Sequence, residues 1–533
     1  MTTQILTGGT IVDGTGADRF RADVAVSDGI ITEVVAPGRA ESLGARMDVT
    51  GLVVAPGFID MHAHSDLAVV NDPEHTAKVW QGVTCEVLGH DGLSYAPVTD
   101  ETLPQLVSQI AGWNGEPDVA PDWRTVAQYL ARVDLGAPVN IAYLVPHGNV
   151  RMQVLGTEQR APTPDELQRM IAIVTQGLAE GAVGLSTGLT YTPGMYADDD
   201  EIVALCAPVR DAGGYYCPHH RNYGRSVVQG YQDCLNIAKR ADVALHLAHC
   251  HVNYPQNAGR ASEVLGAIDA AVAQDGLDVS LDTYPYLAGA TYLAALLPSW
   301  VHANGTEAVV SRLLEPETRR RILYEVEVSG SDGSHGMPVD WTTISVSGVA
   351  DPRSAWAVGA TIAELASARA EDPGELFCDL LVADRLGAGC LVHVGNEDNV
   401  RAIMQHRAHT AGSDGILVGA RPHPRGWGTF PRYLGTYVRE LGILSLEECV
   451  AHLTSRPARR LRMADRGVLR VGAVADIVVF DSDTIDATAT YDDPRRQPQG
   501  ILHVMVNGEY TLRDGHRTDR LPGHAIRLGG PSG

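Results

Sequence analysis

Between residues 53 and 413, eight short apolar runs alternate with helical stretches, and nearly every run ends in a residue able to bind a metal or carry a proton. The runs are 53–60, 83–88, 140–145, 181–187, 214–217, 243–248, 278–282 and 410–413. Amphipathic stretches such as TPDELQRMIAIVTQGLAEG and LSLEECVAHLTSRPARRL have the helical pattern. Alternation of this kind buries a parallel sheet beneath helices. Eight strands over roughly 400 residues predict a TIM-like (β/α)8 barrel with insertions. One insertion, 297–345, follows the seventh strand and carries a helical arm and a Gly/Ser-rich loop.

The chain ends read differently. QILTGG, TIVDGTG and ADVAVSDG near the start, and GVLRVGAVADIVVFDSD and GILHVMVNGEYTLRDGH near the end, alternate apolar and polar residues around Gly and Asp. Neither end has enough apolar surface for its own core. We expect residues 1–54 and 466–533 to pair into one small β-sandwich, leaving 55–465 for the barrel. A chain of 533 residues exceeds what one compact core accommodates, which agrees with this division.

Composition excludes several partners. The net charge of -24 argues against nucleic acid and anionic membranes. No apolar stretch approaches 18 residues, and the start MTTQILTGGT has no signal-peptide pattern. The eight cysteines form no C-x-x-C pair and no disulfide framework. These features predict a cytoplasmic protein acting on a small molecule, and they leave a homo-oligomer open. Only two lysines occur, Lys78 and Lys239, so a mechanism that needs lysine has two candidates.

The C-terminal rim of a barrel carries its active site. His62 and His64 follow the first run, His90 and Asp91 the second, and His147 the third. His219, His220 and Arg221 follow the fifth, His249 and His251 the sixth; Asp282 and Tyr284 mark the seventh and Asp414 the eighth. In GFIDMHAHSD, residues two apart on an extended segment share a side, so His62 and His64 can reach one ion. An H-x-H pair alone fits two hydrogen-bonded histidines equally well; its place after an apolar strand favours metal.

The sequence resembles the amidohydrolase superfamily and, within it, the N-acyl-D-amino-acid deacylases (D-aminoacylases). APGFIDMHAHSD, QGVT, HGNVR, EGAVGLSTGLTYTPG, AHCHVNYPQNAGR, DTYPYLAGAT, HPRGWGTFPRYLG and DRGVLRVGAVADIVVFD carry the resemblance over almost the whole chain. It implies a zinc-dependent hydrolase of N-acyl-D-amino acids or related small amides bearing a carboxylate, with one or two zinc ions. His62, His64, His219 and His249 match its metal ligands, and Asp414 matches its catalytic acid–base in S-D-G. GSDG occurs twice, but Asp332 falls inside the insertion and reads as a turn residue. His220, on a variable position, reads as a packed histidine.

Two departures stand out. The family's G-N-C-G is GHDG here, so Asp91 stands where a metal-binding thiolate would be, a harder ligand than sulfur. The family's lysine two residues after the ligand matching His249 is His251. Arg151, Tyr191, Arg221, His251, Tyr284 and Arg425 are candidates for substrate binding, since arginine can grip a carboxylate through two parallel hydrogen bonds. Each could equally serve loop structure. A cyclic-amide hydrolase of the hydantoinase or dihydroorotase kind is the alternative on the same metal scaffold, a deaminase a more distant one. The missing bridging lysine counts against the first. A non-catalytic metal-binding barrel would leave the full set of rim residues without purpose.

Overall fold

A computed structural model describes residues 3–117 and 121–529. Residues 1–2 and 530–533, which the expected sandwich segments include, lie outside the described residues.

Eight parallel strands form the barrel: β1 (Phe58–Asp60), β2 (Val83–Leu88), β3 (Asn140–Pro146), β4 (Gly184–Gly188), β5 (Tyr215–His219), β6 (Ala244–Leu247), β7 (Val279–Thr283) and β8 (His409–Ala411). Neighbours in sequence are neighbours in space, each joined in parallel register. The seam between β8 and β1 is closed by Met61 N–H donating to Ala411 O at 3.1 Å. Just beyond it Ala63–His64 pairs with Gly415–Ile416. Ile59, Met61, Val87, Leu144, Cys217 and Ala248 fill the interior, so the barrel is a packed core and not a pore. All eight cysteines are buried and unpaired.

The helices between strands start where sequence signals say they should. Thr163 accepts from Glu166 N–H while Glu166 reaches back, a capping box with proline in the first turn of Pro164–Ala179. The same box opens Val126–Val133 and Ile362–Arg369.

The chain ends meet in one nine-stranded sheet. Val53–Pro56 pairs with Gln4–Ile11 on one side and with Ile477–Phe480 on the other. Leu6, Val24, Val54, Ile477 and Met505 share its apolar cluster. The first expected strand, 53–60, is therefore two: Val53–Pro56 belongs to this sheet and Phe58–Asp60 to the barrel. Gly57 divides them, and a Cβ there would lie 2.2 Å from the Thr84 side chain.

The insertion after β7 is larger than the expected 297–345. Ala288–Tyr292, Ile344–Gly348 and Gly389–His393 form a separate antiparallel sheet, so the excursion reaches from Ala288 to His393. Helices Thr306–Leu314, Pro316–Tyr324 and Pro373–Ala383 pack beside one another within it.

Candidate metal centre at the barrel rim

Asp91 is the middle of the site. It follows β2 with φ 54, a left-handed conformation, between Gly89 and Gly92. A Cβ at Gly89 would sit 2.3 Å from Leu144 O, so the turn can press close to β3 only with glycine there. This places the Asp91 carboxylate among four histidines. Oδ1 is 3.6 Å from His62 Nε2, and Oδ2 is 3.6 Å from His64 Nε2. Oδ2 is also 3.3 Å from His219 Nδ1 and 3.4 Å from His249 Nε2.

Two ligand groups result: His62, His64, Asp91 and Asp414, and Asp91, His219 and His249. In each, one ligand atom per residue lies within 4.8 Å of the others, and Asp91 belongs to both. All these residues are buried. Among the described residues His62 Nε2 and Asp91 Oδ1 have no hydrogen-bond partner. Buried polar atoms are normally satisfied, so this donor set fits a metal cation.

The outer nitrogens of the second pair are held. His219 Nε2 lies 2.7 Å from Thr190 Oγ1, and His249 Nδ1 lies 3.1 Å from Tyr223 Oη. Such contacts fix the ring and leave the other nitrogen for the ion. Asp282, at the end of β7, lies 3.0 Å from His246 Nε2 and 3.6 Å from His62 Nδ1, and accepts from His249 N–H at 3.0 Å.

Asp414 has φ 48 and donates its N–H to His62 O at 2.8 Å. Its Oδ1 is 3.2 Å from His64 Nε2, and its Oδ2 is 2.9 Å from Arg425 Nη1. Burial alone would raise its pKa; the charges of Arg425 and His62 outweigh burial and hold it well below the ordinary carboxylate range. Asp91 is likewise depressed: burial opposes ionisation, and His249, His219 and His62 overcome it.

Beneath the rim lies a buried ionic network. Lys78 Nζ is 2.6 Å from Asp60 Oδ2, donates to Ser413 Oγ at 2.9 Å and lies 3.5 Å from Glu86 Oε2. Asp60 Oδ1 accepts from Ser413 N–H at 2.8 Å and from His62 N–H at 3.2 Å. One carboxylate thus holds the backbone entering both His62 and Asp414. Lys239, the other lysine, pairs with Asp275 and is more than half exposed.

The substrate candidates divide. Tyr191, His251 and Tyr284 line the cavity over the ligand groups. Arg425 stands behind them, its guanidinium 4.3 Å over the Tyr284 ring and against Asp414. Arg151 and Arg221, expected at the substrate, are turned to carboxylates of the protein instead. Arg151 is fully buried, paired with Glu201 and donating to Arg160 O. Arg221 pairs with Asp199 at 2.8 Å and donates to Ala197 O. Neither lines the cavity. His90 stacks on His62 at 3.9 Å and joins neither ligand group. His220 is packed between Tyr223 and Tyr231. Asp332 accepts from Ser299 and Gly333 N–H groups in its loop.

Sequence reasoning missed Trp113, whose ring centroid is 4.7 Å from that of His64, as well as Tyr223 and His335. Trp113 lies on a helix and His335 inside the insertion, so strand spacing gives no signal for them; Tyr223 lies in the loop after β5, just past HHR, where the histidines drew the reading.

An eight-stranded parallel barrel whose rim holds two histidine groups around one shared carboxylate defines a metal-binding barrel. The chain belongs to the amidohydrolase family, whose sequence model matches residues 46–512. It is 35% identical over 507 residues to the N-acyl-D-glutamate deacylase of Alcaligenes xylosoxydans xylosoxydans, covering 95% of this chain and 92% of that one. The D-aminoacylase of the same organism is 34% identical over 509 residues, with 95% and 93% covered. The crystal structure of N-acyl-D-glutamate deacylase from Bordetella bronchiseptica, complexed with zinc and a phosphonate mimic of the tetrahedral intermediate, superposes with a TM-score of 0.83. It is 34% identical and covers 99% of each chain.

Proposed function

We propose that the protein is a zinc-dependent hydrolase that cleaves the amide bond of N-acyl-D-amino acids or of related small amides bearing a carboxylate. The observation that carries this is the shared Asp91 between two histidine groups, with Asp414 beside them and a cavity above. The relatives' activities, and the zinc in the Bordetella enzyme, support it.

His62, His64, Asp91, His219 and His249 would hold zinc. A bound zinc ion supplies Lewis acidity and makes water a competent nucleophile near neutral pH. The chain's own residues do the rest. Asp414, held ionised by Arg425, takes the proton from the attacking water and returns it to the leaving amine. Tyr284 and His251 face the cavity on the Arg425 side, where a substrate carboxylate can be received. Trp113 and Tyr191, with ring centroids 4.9 Å apart, wall the cavity and limit water. His335 and Gly333, at the tip of the insertion, reach into the same cavity, which supports reading the insertion as a lid.

We read residues 466–533 with 1–54, extended to Pro56 by the pairing of Val53–Pro56 in the same sheet, as the terminal β domain, and the chain from Gly57 to 465 as the barrel. Eight buried, unpaired cysteines support a reducing cytoplasm. Among the described residues no helix is long and apolar enough to cross a membrane.

The test is a panel of N-acetyl-D- and N-acetyl-L-amino acids and hydantoins with zinc-loaded enzyme, beside Asp414→Asn. Release of free D-amino acid by wild type alone supports the reading. Ring opening of a hydantoin with no deacylation would replace it with a cyclic-amide hydrolase.

A further inference from the structure

We infer that His246, Ser280 and Arg460 form with Asp282 a directed polar column through the barrel interior, which holds the His62 ring with its Nε2 atom free for the ion. They are positioning residues for the rim, and the inference rests on reading that rim as a zinc site.

Ser280 and Asp282 lie two apart on β7 and so share a face, and His246 on β6 pairs with Ser280 in register. His246 and Asp282 are fully buried, and His246 packs edge-on to Tyr215 among the apolar residues of the barrel. Polar groups placed there cost desolvation unless each is answered. Arg460, from the helix Ser455–Arg460, pairs with Asp278 at 2.7 Å and donates Nε–H to Ser280 Oγ at 2.6 Å. Ser280 Oγ lies 2.7 Å from His246 Nδ1, and His246 Nε2 lies 3.0 Å from Asp282 Oδ2. Asp282 Oδ2 in turn faces His62 Nδ1 at 3.6 Å, an atom with no hydrogen-bond partner among the described residues.

The hydrogens of this column run one way. Asp282 is an anion, so the His246 nitrogen that faces it carries a hydrogen. Burial lowers the His246 pKa below its ordinary value against the pull of Asp282, and the positive charge of a zinc ion at the rim acts in the same direction. The ring is therefore neutral near pH 7 and has one hydrogen to give. Its Nδ1 is left as an acceptor and takes the Ser280 hydroxyl hydrogen, while Arg460 occupies a lone pair of that hydroxyl. Asp282 keeps its charge and is the acceptor facing Nδ1–H of His62. The lone pair of His62 Nε2 is then turned to the ligand groups, 3.6 Å from Asp91 and 3.7 Å from Asp414. Asp282 Oδ1 also accepts from His249 N–H at 3.0 Å, so one carboxylate touches a ligand of each group. Gly412 makes room for it: a Cβ there would lie 2.6 Å from Asp282 Oδ1 and 2.8 Å from His62 Cβ.

The experiment measures zinc affinity by chelator competition on the metal-stripped full chain, for wild type, His246→Leu, His246→Gln and Ser280→Ala. Thermal unfolding of each stripped protein separates loss of fold from loss of ligand geometry. His246→Leu is expected to weaken zinc binding about 10-fold or more, the scale set by outer partners of metal-bound histidines. His246→Gln keeps one donor and one acceptor and is expected to recover most of that affinity. Ser280→Ala is expected to show a smaller loss in the same direction. At saturating zinc KM is expected to be unchanged, since none of the column residues lines the substrate cavity. Wild-type zinc affinity in His246→Leu overturns the inference, and so does a loss in His246→Gln equal to that in His246→Leu, which marks a purely structural histidine. If His246→Leu does not fold, wild-type zinc affinity in Ser280→Ala overturns it. A wild-type chain that binds no zinc overturns the rim reading as well.

Discussion

Asp91 touches both histidine groups, so its removal separates metal binding from folding. Asp91→Ala is expected to keep the circular dichroism of wild type while losing bound metal, read by mass spectrometry of the gel-filtered protein. Unchanged metal content would remove Asp91 from the centre. Asp414→Asn has a different signature: kcat falls by about 10²–10⁴-fold, the range of general acid–base catalysis, while metal content holds. Arg151 contrasts with both. Because it answers Glu201 in the interior, Arg151→Met is expected to lower stability by about 3–5 kcal/mol in denaturant titrations, with KM of the folded enzyme unchanged. A raised KM at unchanged stability would return it to substrate binding. The pattern of these residues explains what the sequence could reveal. His62 and His64 are legible because a strand period of two puts them on one side. HGNVR looks like a ligand loop because Arg151 needs a carboxylate, and its spacing cannot say whether that is the substrate's or Glu201's.

At the scale of elements, the seam between β1 and β8 is where fold and site are one thing. Asp60 on β1 holds the N–H groups of His62 and Ser413, and Lys78 from the short helix Thr76–Val79, between β1 and β2, neutralises it. Burial opposes the charge on Glu86, but Lys78 and His75 outweigh it and lower its pKa to about 2. A folded pKa below the unfolded value of about 4.3 means the Glu86 contribution is full above that pH and fades as pH falls towards 2. Stability measured for wild type and Glu86→Gln is therefore expected to converge as pH drops from about 4.3 towards about 2. A constant gap would show that the charge of Glu86 is immaterial. The barrel strands were readable because apolar runs bounded by turns recur in step with rim residues. Two boundaries were not. Residues 53–60 form one apolar run, yet two sheets share it, since nothing in hydropathy marks a change of partner at Gly57. The insertion exceeds its expected ends because its outer strands, Ala288–Tyr292 and Gly389–His393, pair with each other over a long separation in sequence.

For the whole molecule, the terminal sheet is keyed into the barrel. Asp476 pairs with Arg466, accepts from Asn507 N–H at 2.8 Å and from Asn140 Nδ2 at 3.3 Å, and its own carbonyl receives Gly57 N–H. The C-terminal segment also bonds β3, with Ile526 N–H donating to Ile141 O at 2.7 Å. Asp476→Ala strands a buried arginine and is expected to cost about 3–5 kcal/mol in global stability, while leaving kcat of the folded enzyme near wild type. Loss of kcat at unchanged stability would mean that this joint acts on the site. Whether the rim works as a zinc-dependent deacylase centre that selects the D-configuration is read from racemic N-acetylmethionine, zinc-loaded enzyme and chiral chromatography of the products. D-methionine is expected to accumulate, the L-substrate to survive and metal-stripped enzyme to stay silent until zinc is returned. Release of L-methionine at the same rate, or full activity after stripping, would contradict it.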